Sequence, residues 1–498
     1  MILITPTMPK FFNAILNHIK KYYDYKRCLQ HEDIVVDSSA ELINAKSAYF
    51  NNKSLEKDKI FNIDKKINSV TGWVPYLENK TSILIYNFFS TNYSIRKNLI
   101  LKVSILKNYK ICFVKFMTVK QYEIIELNKK FFGTSDINNG IVVAQLYHPN
   151  IPKNHGGGNG QLRFWGKYYD ESNNYLSTVH SMPLNYEKYV KEKIHSRNYF
   201  PNIKNEKNRL LNISLNQDVV KNNLNKLSLG GYNIVLDQKN NPLSIWHLGP
   251  AYDKKKEYFE LKKYNHCFWV PKNHNINPRI VIDNKETFIN ANEKQILTIK
   301  IIKEEKIFKE KLIKFQNFYE ATIEEIFDEK FKFEYIIYLE FSSKFFPYAQ
   351  ITYDSDVIGD QVHTHQANCF YDDKNKINFF EEKTEKNCRK FMHIPLNNDK
   401  YSNFLVLHNI KLKNKKTKLI KLRLLDEQNF EEVKNIEINN NKMIEVFNLN
   451  KLFEKNIKNE NIDKAIIQLE SKDYNFDASL ICQNNNNDKI AVDHLTGG

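Results

Sequence analysis

At 498 residues the chain is too long for one hydrophobic core, so we expect roughly three or four domains. Hydrophobic residues make up 42% and aromatic residues 13%, a content that excludes an intrinsically disordered protein. The formal charge of +16 comes mainly from lysines scattered along the chain without an arginine-rich stripe, which argues against nucleic acid as a partner.

The N-terminal segment is predicted to be helical or mixed, and we assign it residues 1–70. Between residues 9 and 29, Phe11, Ile15 and Ile19 recur at the spacing of one helix face. A further helical stretch is expected at residues 40–48.

Residues 71–185 are predicted to be the first of three β-sandwich repeats. Short apolar runs alternate with polar residues at about ten-residue spacing, the pattern of antiparallel sheets with one buried and one wet face. The runs cover residues 83–87, 99–106, 111–116 and 122–128.

A mixed insert occupies residues 186–265 and contains one clear hairpin signal. Apolar runs flank the turn sequence Asn240-Asn241-Pro242. The insert also carries Trp246 and His247 near its end.

The second and third repeats are assigned to residues 266–372 and 391–498, and a charged linker to residues 373–390. In the third repeat the runs cover residues 404–409, 419–425 and 443–450. In the second they cover residues 280–282, 296–301 and 324–327, and residues 303–314 are charged enough for a hairpin or a short helix.

The three repeats end in the same way, with a valine followed within two residues by histidine. The endings are Val179-His180, Val362-His363 and Val492-Asp493-His494. We interpret them as the closing strand of each copy. The fold class is therefore mainly β, with tandem antiparallel (immunoglobulin-like) β-sandwich domains and a short N-terminal α-helical segment.

The cell compartment is expected to be the cytoplasm. No apolar run approaches the roughly 20 residues of a membrane span, and polar residues interrupt the short apolar segment at residues 11–19. The six cysteines lie far apart without a CxxC pair, which favours reduced thiols. Adjacent residues on a strand point to opposite faces, so His266 is poorly placed to activate Cys267, and we expect a structural cysteine.

The first candidate site is a metal centre. His363 and His365 lie on one face of a predicted strand, with Asp360 as a nearby carboxylate. A divalent transition metal needs three or four convergent ligands of these types. The alternative is that both histidines are surface or interface residues.

The second candidate is a glycan or polar-polymer site. Exposed aromatic rings stack on sugar faces, while charged groups provide directed hydrogen bonds. The candidate residues are Arg163, Trp165, Tyr168, Tyr169, His180, Trp246 and His247. Packing in a core or in a seam between modules is the alternative for the ring cluster.

A complete set of catalytic residues does not emerge from the sequence. His155-Gly156-Gly157-Gly158 resembles the oxyanion loop of lipases and esterases, yet the chain has no GxSxG nucleophile motif. We therefore expect a non-catalytic binding or scaffold protein without a cofactor. The alternative is a metal-dependent enzyme that uses His363 and His365.

Overall fold

The computed structural model shows a mainly β chain. It describes residues 34–36, 42–45, 69–86, 99–107, 110–119, 122–133, 137, 139–147, 164–172, 174–183, 194–196, 209–214, 231–248, 250–252, 264–272, 275–283, 295–316, 318–341, 349–355, 360–363, 369–372, 374, 376–379, 381–382, 388–395, 399–408, 411–412, 417–426, 431–439, 442–455, 464–471, 477–486 and 489–494. The helix predicted over residues 9–29 lies outside these ranges.

The strands are numbered here in chain order. The first are β1 (Ile34–Val36), β2 (Leu42–Ala45), β3 (Ser69–Tyr76), β4 (Thr81–Tyr86), β5 (Leu99–Lys107), β6 (Lys110–Val119), β7 (Tyr122–Glu126), β8 (Gly140–Tyr147), β9 (Trp165–Tyr169), β10 (Tyr175–His180) and β11 (Met182–Pro183). The next are β12 (Ile194–Ser196), β13 (Arg209–Ser214), β14 (Gly231–Leu236), β15 (Pro242–Leu248), β16 (Pro250–Tyr252), β17 (Tyr264–Val270), β18 (Arg279–Asp283), β19 (Gln295–Lys303), β20 (Lys306–Phe315), β21 (Phe318–Thr322), β22 (Tyr335–Phe341), β23 (Ala349–Thr352) and β24 (Gln361–His363).

The remaining strands follow in the last quarter of the chain. They are β25 (Cys369–Tyr371), β26 (Ile377–Phe379), β27 (Glu381–Glu382), β28 (Cys388–Pro395), β29 (Tyr401–His408), β30 (Lys411–Leu412), β31 (Thr417–Asp426), β32 (Glu431–Asn439), β33 (Ile444–Asn448), β34 (Lys464–Ser471), β35 (Asp477–Asn484) and β36 (Ile490–His494). The helices of the described residues are short: α1 (Lys129–Phe132), α2 (Ile323–Phe327) and α3 (Leu449–Leu452). None of them has the length and apolar composition needed to cross a membrane.

The chain divides into two compact units. Unit 1 comprises Met1–Gly166, Ser181–Lys191 and Leu215–Ser228. Unit 2 comprises Lys167–His180, Glu192–Ser214 and Leu229–Gly498.

Unit 1 contains a sheet in the order β1-β2-β6-β5-β8-β3-β11, and β4 pairs antiparallel with β7. Its core includes Trp73 and Phe116, both fully buried. The helix predicted at residues 40–48 is wrong where the chain is described. Leu42 and Ile43 instead pair with β6, and the four-residue segment gains sheet hydrogen bonds that so short a helix could not match.

Unit 2 contains two sets of eight strands with the same pairing. Each set forms two four-stranded antiparallel sheets, β17-β22-β19-β20 with β21-β18-β23-β24, and β28-β34-β31-β32 with β33-β29-β35-β36. Numbered along the chain within each set, with β25, β26, β27 and β30 left aside, both read 1-6-3-4 and 5-2-7-8. The remaining sheets of unit 2 are smaller, and one of them has the order β13-β14-β15.

A single hydrophobic cluster joins the two sets. It includes Ile299 and Ile337 from the first set and Val406 and Ile481 from the second, all at most 1% exposed. Trp269 packs on Phe404 with ring centroids 5.1 Å apart. Apolar burial of this extent is the main force that holds the two sets together.

The charged segment at residues 303–314 forms a hairpin rather than a helix. Its two loop residues, Glu304 (φ 50°) and Glu305 (φ 63°), are both left-handed, which is the backbone of a type I′ turn. The carboxylate of Glu305 accepts the backbone N–H of Met443 at 3.3 Å. This bond connects Glu305 to a residue outside the hairpin.

The strand predicted at residues 324–327 is wrong, because this segment is helix α2. Thr322 and Glu325 form a reciprocal capping box in which each side chain accepts the other residue's backbone N–H. The cap satisfies two N–H groups that a strand would have had to pair. The strand before α2 is β21, the fifth of the set, which ends at Thr322.

Aspartates close three hairpins in the same way. Oδ1 of Asp170, Asp237 and Asp372 accepts backbone N–H groups two and four residues later, at 2.8–2.9 Å. These loops join β9 to β10, β14 to β15 and β25 to β26. In a chain with only 14 glycines, these tight turns are stabilised by hydrogen bonds from the backbone to an aspartate side chain.

Replacing Glu304 by asparagine should stabilise the chain. Asparagine tolerates the left-handed region better than glutamate does, so we expect the free energy of unfolding to rise by about 0.5–1 kcal/mol. Urea denaturation checks this, with Glu437→Asn on the exposed face of β32 as the matched control. Equal effects of the two substitutions would contradict a strained turn.

Candidate metal centre

Four strands of unit 2 meet near their C-terminal ends. β10 lies against β15 and β36, and β24 contacts both β15 and β36. Each of these strands completes a hairpin or a sheet edge, and each carries a histidine at or next to its end: His180, His247, His363 and His494. The structure describes the side chains of His180 and His494, and for the other two the backbone only.

His180, Asp493 and His494 form one cluster. Nδ1 of His180 lies 3.2 and 3.3 Å from the two carboxylate oxygens of Asp493, and Nδ1 of His494 lies 3.0 Å from Oδ1. The imidazole centroids are 4.4 Å apart with planes at 72°. One ligand atom from each residue falls within 4.8 Å of the others, the span that a single metal ion can bridge.

The backbone explains how two adjacent residues of β36 reach the same side. Neighbouring residues on a strand normally point to opposite faces. Asp493 turns back over its own peptide, and its Oδ1 accepts the backbone N–H of His494 at 2.8 Å. Since His494 is the last residue of the strand, its ring is free of the alternation that the ladder imposes.

Burial and charge oppose each other at Asp493. Its side chain is only 7% exposed, and burial by itself raises the pKa of a carboxyl group. The imidazoles of His180 and His494 act in the opposite direction through charge and hydrogen bonds, and they hold the pKa of Asp493 well below its usual range. Asp493 is thus a carboxylate at neutral pH, the form in which it can bind a cation.

His180 is held from the insert as well. The hydroxyl of Tyr232 donates to the backbone carbonyl of His180 at 3.1 Å. Tyr232 lies on β14, directly opposite His247 of β15. The cluster therefore depends on three parts of the chain: the hairpin before residue 181, the insert hairpin and the C-terminal hairpin.

Asp360 occupies the centre of the four strands and is fully buried. Its Oδ2 accepts the backbone N–H groups of Thr178 (3.2 Å) and Val492 (3.1 Å). Its Oδ1 accepts the hydroxyl of Ser177 (2.9 Å) and the N–H of Ile245 (3.4 Å). Four donors satisfy the charge, so burial of this carboxylate is tolerated.

The charge of Asp360 affects two further groups. Burial, followed by the charge of Asp360, raises the pKa of Tyr168 well above its usual value. Burial lowers the pKa of Lys489 to about 8, although the carboxylates of Asp237, Asp170 and Asp360 partly oppose that shift. The positive charge of Lys489 therefore interacts with the buried negative charge of Asp360.

Two of the predicted glycan residues are buried inside the fold. Trp165 and Tyr168 are fully buried, so neither presents a ring face to a ligand, and packing accounts for them. Tyr169 is half-buried against a small cluster that includes Tyr401. Arg163 lies outside the described residues. Trp246 and His247 lie on β15, with only their backbone described.

Among the predicted metal residues, the structure describes the side chain of Asp360 and only the backbone of His363. His363 ends β24, where it pairs with Gln350, and His365 lies outside the described residues. Both carboxylate oxygens of Asp360 already accept hydrogen bonds from β10, β15 and β36. Asp360 therefore holds β10, β15 and β36 together.

Asp493 is the residue that sequence reasoning missed. The signal was available, since Asp493 is the only carboxylate that directly precedes one of the repeat-end histidines. Alternation along a strand, which the sequence analysis applied to His266 and Cys267, does not separate Asp493 from His494 at the end of β36. The partner of Cys267 was missed too: its Sγ lies 3.4 Å from Nδ1 of His408, in the buried core, whereas His266 was the neighbour considered.

The donor set is one that transition metals prefer. Two imidazoles and one carboxylate are common ligands of Zn²⁺ and related ions, and three protein ligands leave a fourth position for water or another group. The chain matches no protein-family model and no curated protein sequence. The chemistry of this site therefore has to be argued from its geometry.

Truncation of Trp165 to alanine should destabilise the fold. A fully buried tryptophan is lost, so we expect the free energy of unfolding to fall by about 3–5 kcal/mol. Urea denaturation measures this, with the half-buried Tyr169→Ala as a milder comparison. An unchanged midpoint in Trp165→Ala would contradict the packing role and favour an exposed platform.

The lowered pKa of Lys489 predicts a pH dependence. Between about pH 8 and 10.5 only the unfolded state keeps this proton, so the free energy of unfolding should rise with pH in that window. Lys489→Met should remove this part of the rise, whereas Lys330→Met, at an exposed lysine, should keep it. Denaturation curves at several pH values decide between them, and identical slopes in both variants would contradict the burial of Lys489.

Proposed function

We propose that the chain is a non-catalytic, metal-binding scaffold in which His180, Asp493 and His494 hold one divalent transition metal ion such as Zn²⁺. The observation that carries this is the convergence of the three side chains. His180 and Asp493 are 313 residues apart in sequence, yet their polar atoms lie 3.2 Å apart. Chance proximity of one histidine pair is common, but a shared carboxylate with two imidazoles is a metal-ligand set.

The electrostatics of the cluster support binding of a cation. Asp493 stays ionised although it is buried, because its two imidazole neighbours stabilise the negative charge. A bound metal ion would supply that positive charge more strongly than the imidazoles do. Protons and metal should therefore compete for the same side chains.

The position of the cluster supports a structural role for the ion. The ligands come from β10 and β36, two strands of unit 2 that belong to different hairpins. An ion bound between them would fasten the C-terminal hairpin to the hairpin that precedes residue 181. A link that closes so long a stretch of chain restricts the unfolded state strongly.

The scaffold part of the proposal rests on the strand order. The two eight-stranded sets of unit 2 share one pairing scheme, which supports tandem modules of a β-sandwich type. The immunoglobulin-like class remains a prediction from strand spacing and module size. Glycan binding also remains a prediction. Of the four candidate residues whose side chains are described, Trp165 and Tyr168 are fully buried, which leaves Tyr169 and His180.

The purified, chelator-treated chain should bind about one equivalent of Co²⁺ or Zn²⁺. His180→Ala and His494→Ala should each weaken binding by at least about 100-fold, the upper end of what even outer-shell changes cost. Isothermal titration and the visible spectrum of Co²⁺ measure this.

The bound metal should also stabilise the fold. At a free ion concentration of about 100 times Kd, it should add about 2.7 kcal/mol to the free energy of unfolding. Binding should weaken as the pH falls, because protons compete with the metal ion for the ligand side chains.

The matched control is the double variant His363→Ala/His365→Ala, which removes the other histidine pair. It should keep wild-type affinity if the ion lies at the cluster described above. Loss of binding in this control alone would move the ion to the pair predicted from sequence. Less than about a tenth of an equivalent in the wild type would overturn the proposal altogether.

A further inference from the structure

Asp360 ties together the two strands that carry the cluster. A single atom, Oδ2, accepts the N–H of Thr178 on β10 and the N–H of Val492 on β36. Thr178 lies two residues before His180, and Val492 two residues before His494. Two residues of strand span about 6.6 Å, so the shared oxygen sets the offset of the two histidines along their strands.

Asp360 also accepts a hydrogen bond from a third strand, β15, at the equivalent position. Ile245 donates to Oδ1 and lies two residues before His247, so the three donors occupy equivalent places relative to the strand-end histidines. Backbone N–H groups that point at one another need a shared acceptor, because they cannot pair among themselves. A carboxylate is the one side chain with enough acceptor sites for four donors.

Of the four residues that lie three positions before a strand-end histidine, one is a carboxylate and the other three are small. Asp360 lies three residues before His363, and the residues three before His180, His247 and His494 are Ser177, Ser244 and Ala491. All four are buried, and the three counterparts are small. The strands can therefore approach Asp360 closely from every side.

We propose that Asp360 is the positioning residue of the His180–Asp493–His494 centre. It touches no ion, and it acts by fixing the offset between β10 and β36, on which the approach of His180 to Asp493 depends. This inference rests on the proposed metal function for its affinity test, and a second test needs no metal.

The first test compares Asp360→Ala, Asp360→Asn and Ser177→Ala in the full chain, with Co²⁺ as the probe. Asp360→Ala should weaken binding by about 10–100-fold and alter the visible spectrum of the bound ion. Asp360→Asn keeps one oxygen for the two amides and should weaken it less. Ser177→Ala removes a donor from Oδ1 only, so it should stay within about threefold of the wild type, by the same reasoning.

Asn450→Ala controls for loss of stability. It removes hydrogen bonds to Asn403 and Tyr401, away from the Asp360 contacts, and should leave Co²⁺ affinity and spectrum unchanged. If Asp360→Ala does not fold, the order of Asp360→Asn and Ser177→Ala decides: equal affinities would overturn the inference. A wild-type affinity and spectrum in Asp360→Ala would overturn it too.

The second test uses the metal-free chain with isotope-labelled histidine rings. In the wild type the rings of His180 and His494, identified through their alanine variants, should show ring-to-ring NOE contacts, because their centroids lie 4.4 Å apart. In Asp360→Asn these contacts should weaken, while Asn450→Ala should keep them. Unchanged ring contacts in Asp360→Asn would overturn the positioning role, whereas failure of the wild type to bind Co²⁺ would overturn the metal function alone.

Discussion

The buried carboxylate of Asp360 is the interaction on which the centre of unit 2 depends. Three strands from distant parts of the chain point backbone N–H groups at it, and a serine hydroxyl adds a fourth donor. A buried charge is costly unless it is fully hydrogen-bonded, and buried amides are costly unless they are paired. Each side of the interaction therefore requires the other, and together they specify how the strands meet.

The cluster of His180, Asp493 and His494 at the strand ends follows the same physical rule. Asp493 is a second buried carboxylate, and its charge is balanced by two imidazoles instead of amides. The difference matters for function, because amide donors are permanent whereas imidazoles can exchange their protons for a metal ion. The inner carboxylate is thus held by fixed donors, whereas in the proposed function the outer one would exchange the protons of its imidazole partners for a metal ion.

Local patterns in the sequence predicted the strands well and the short helices poorly. Period-two alternation identifies β19 and β31 directly, and the Asn240-Asn241-Pro242 turn lies at the hairpin of β14 and β15. Helix α2 was predicted as a strand because its five residues are too few to show a helical period, and its capping box was the better signal. Apolar content alone cannot separate the two structures at that length.

The sequence by itself determined the mainly β character of the chain, because alternation and turn residues act over a few positions. Only the tertiary structure decided that His180 meets Asp493 and His494, that Asp360 joins β10 to β36, and that Trp165 and Tyr168 are buried. Such contacts depend on how strands from different hairpins approach one another. A local pattern shows which face of a strand is apolar, but it does not specify which strand will cover that face.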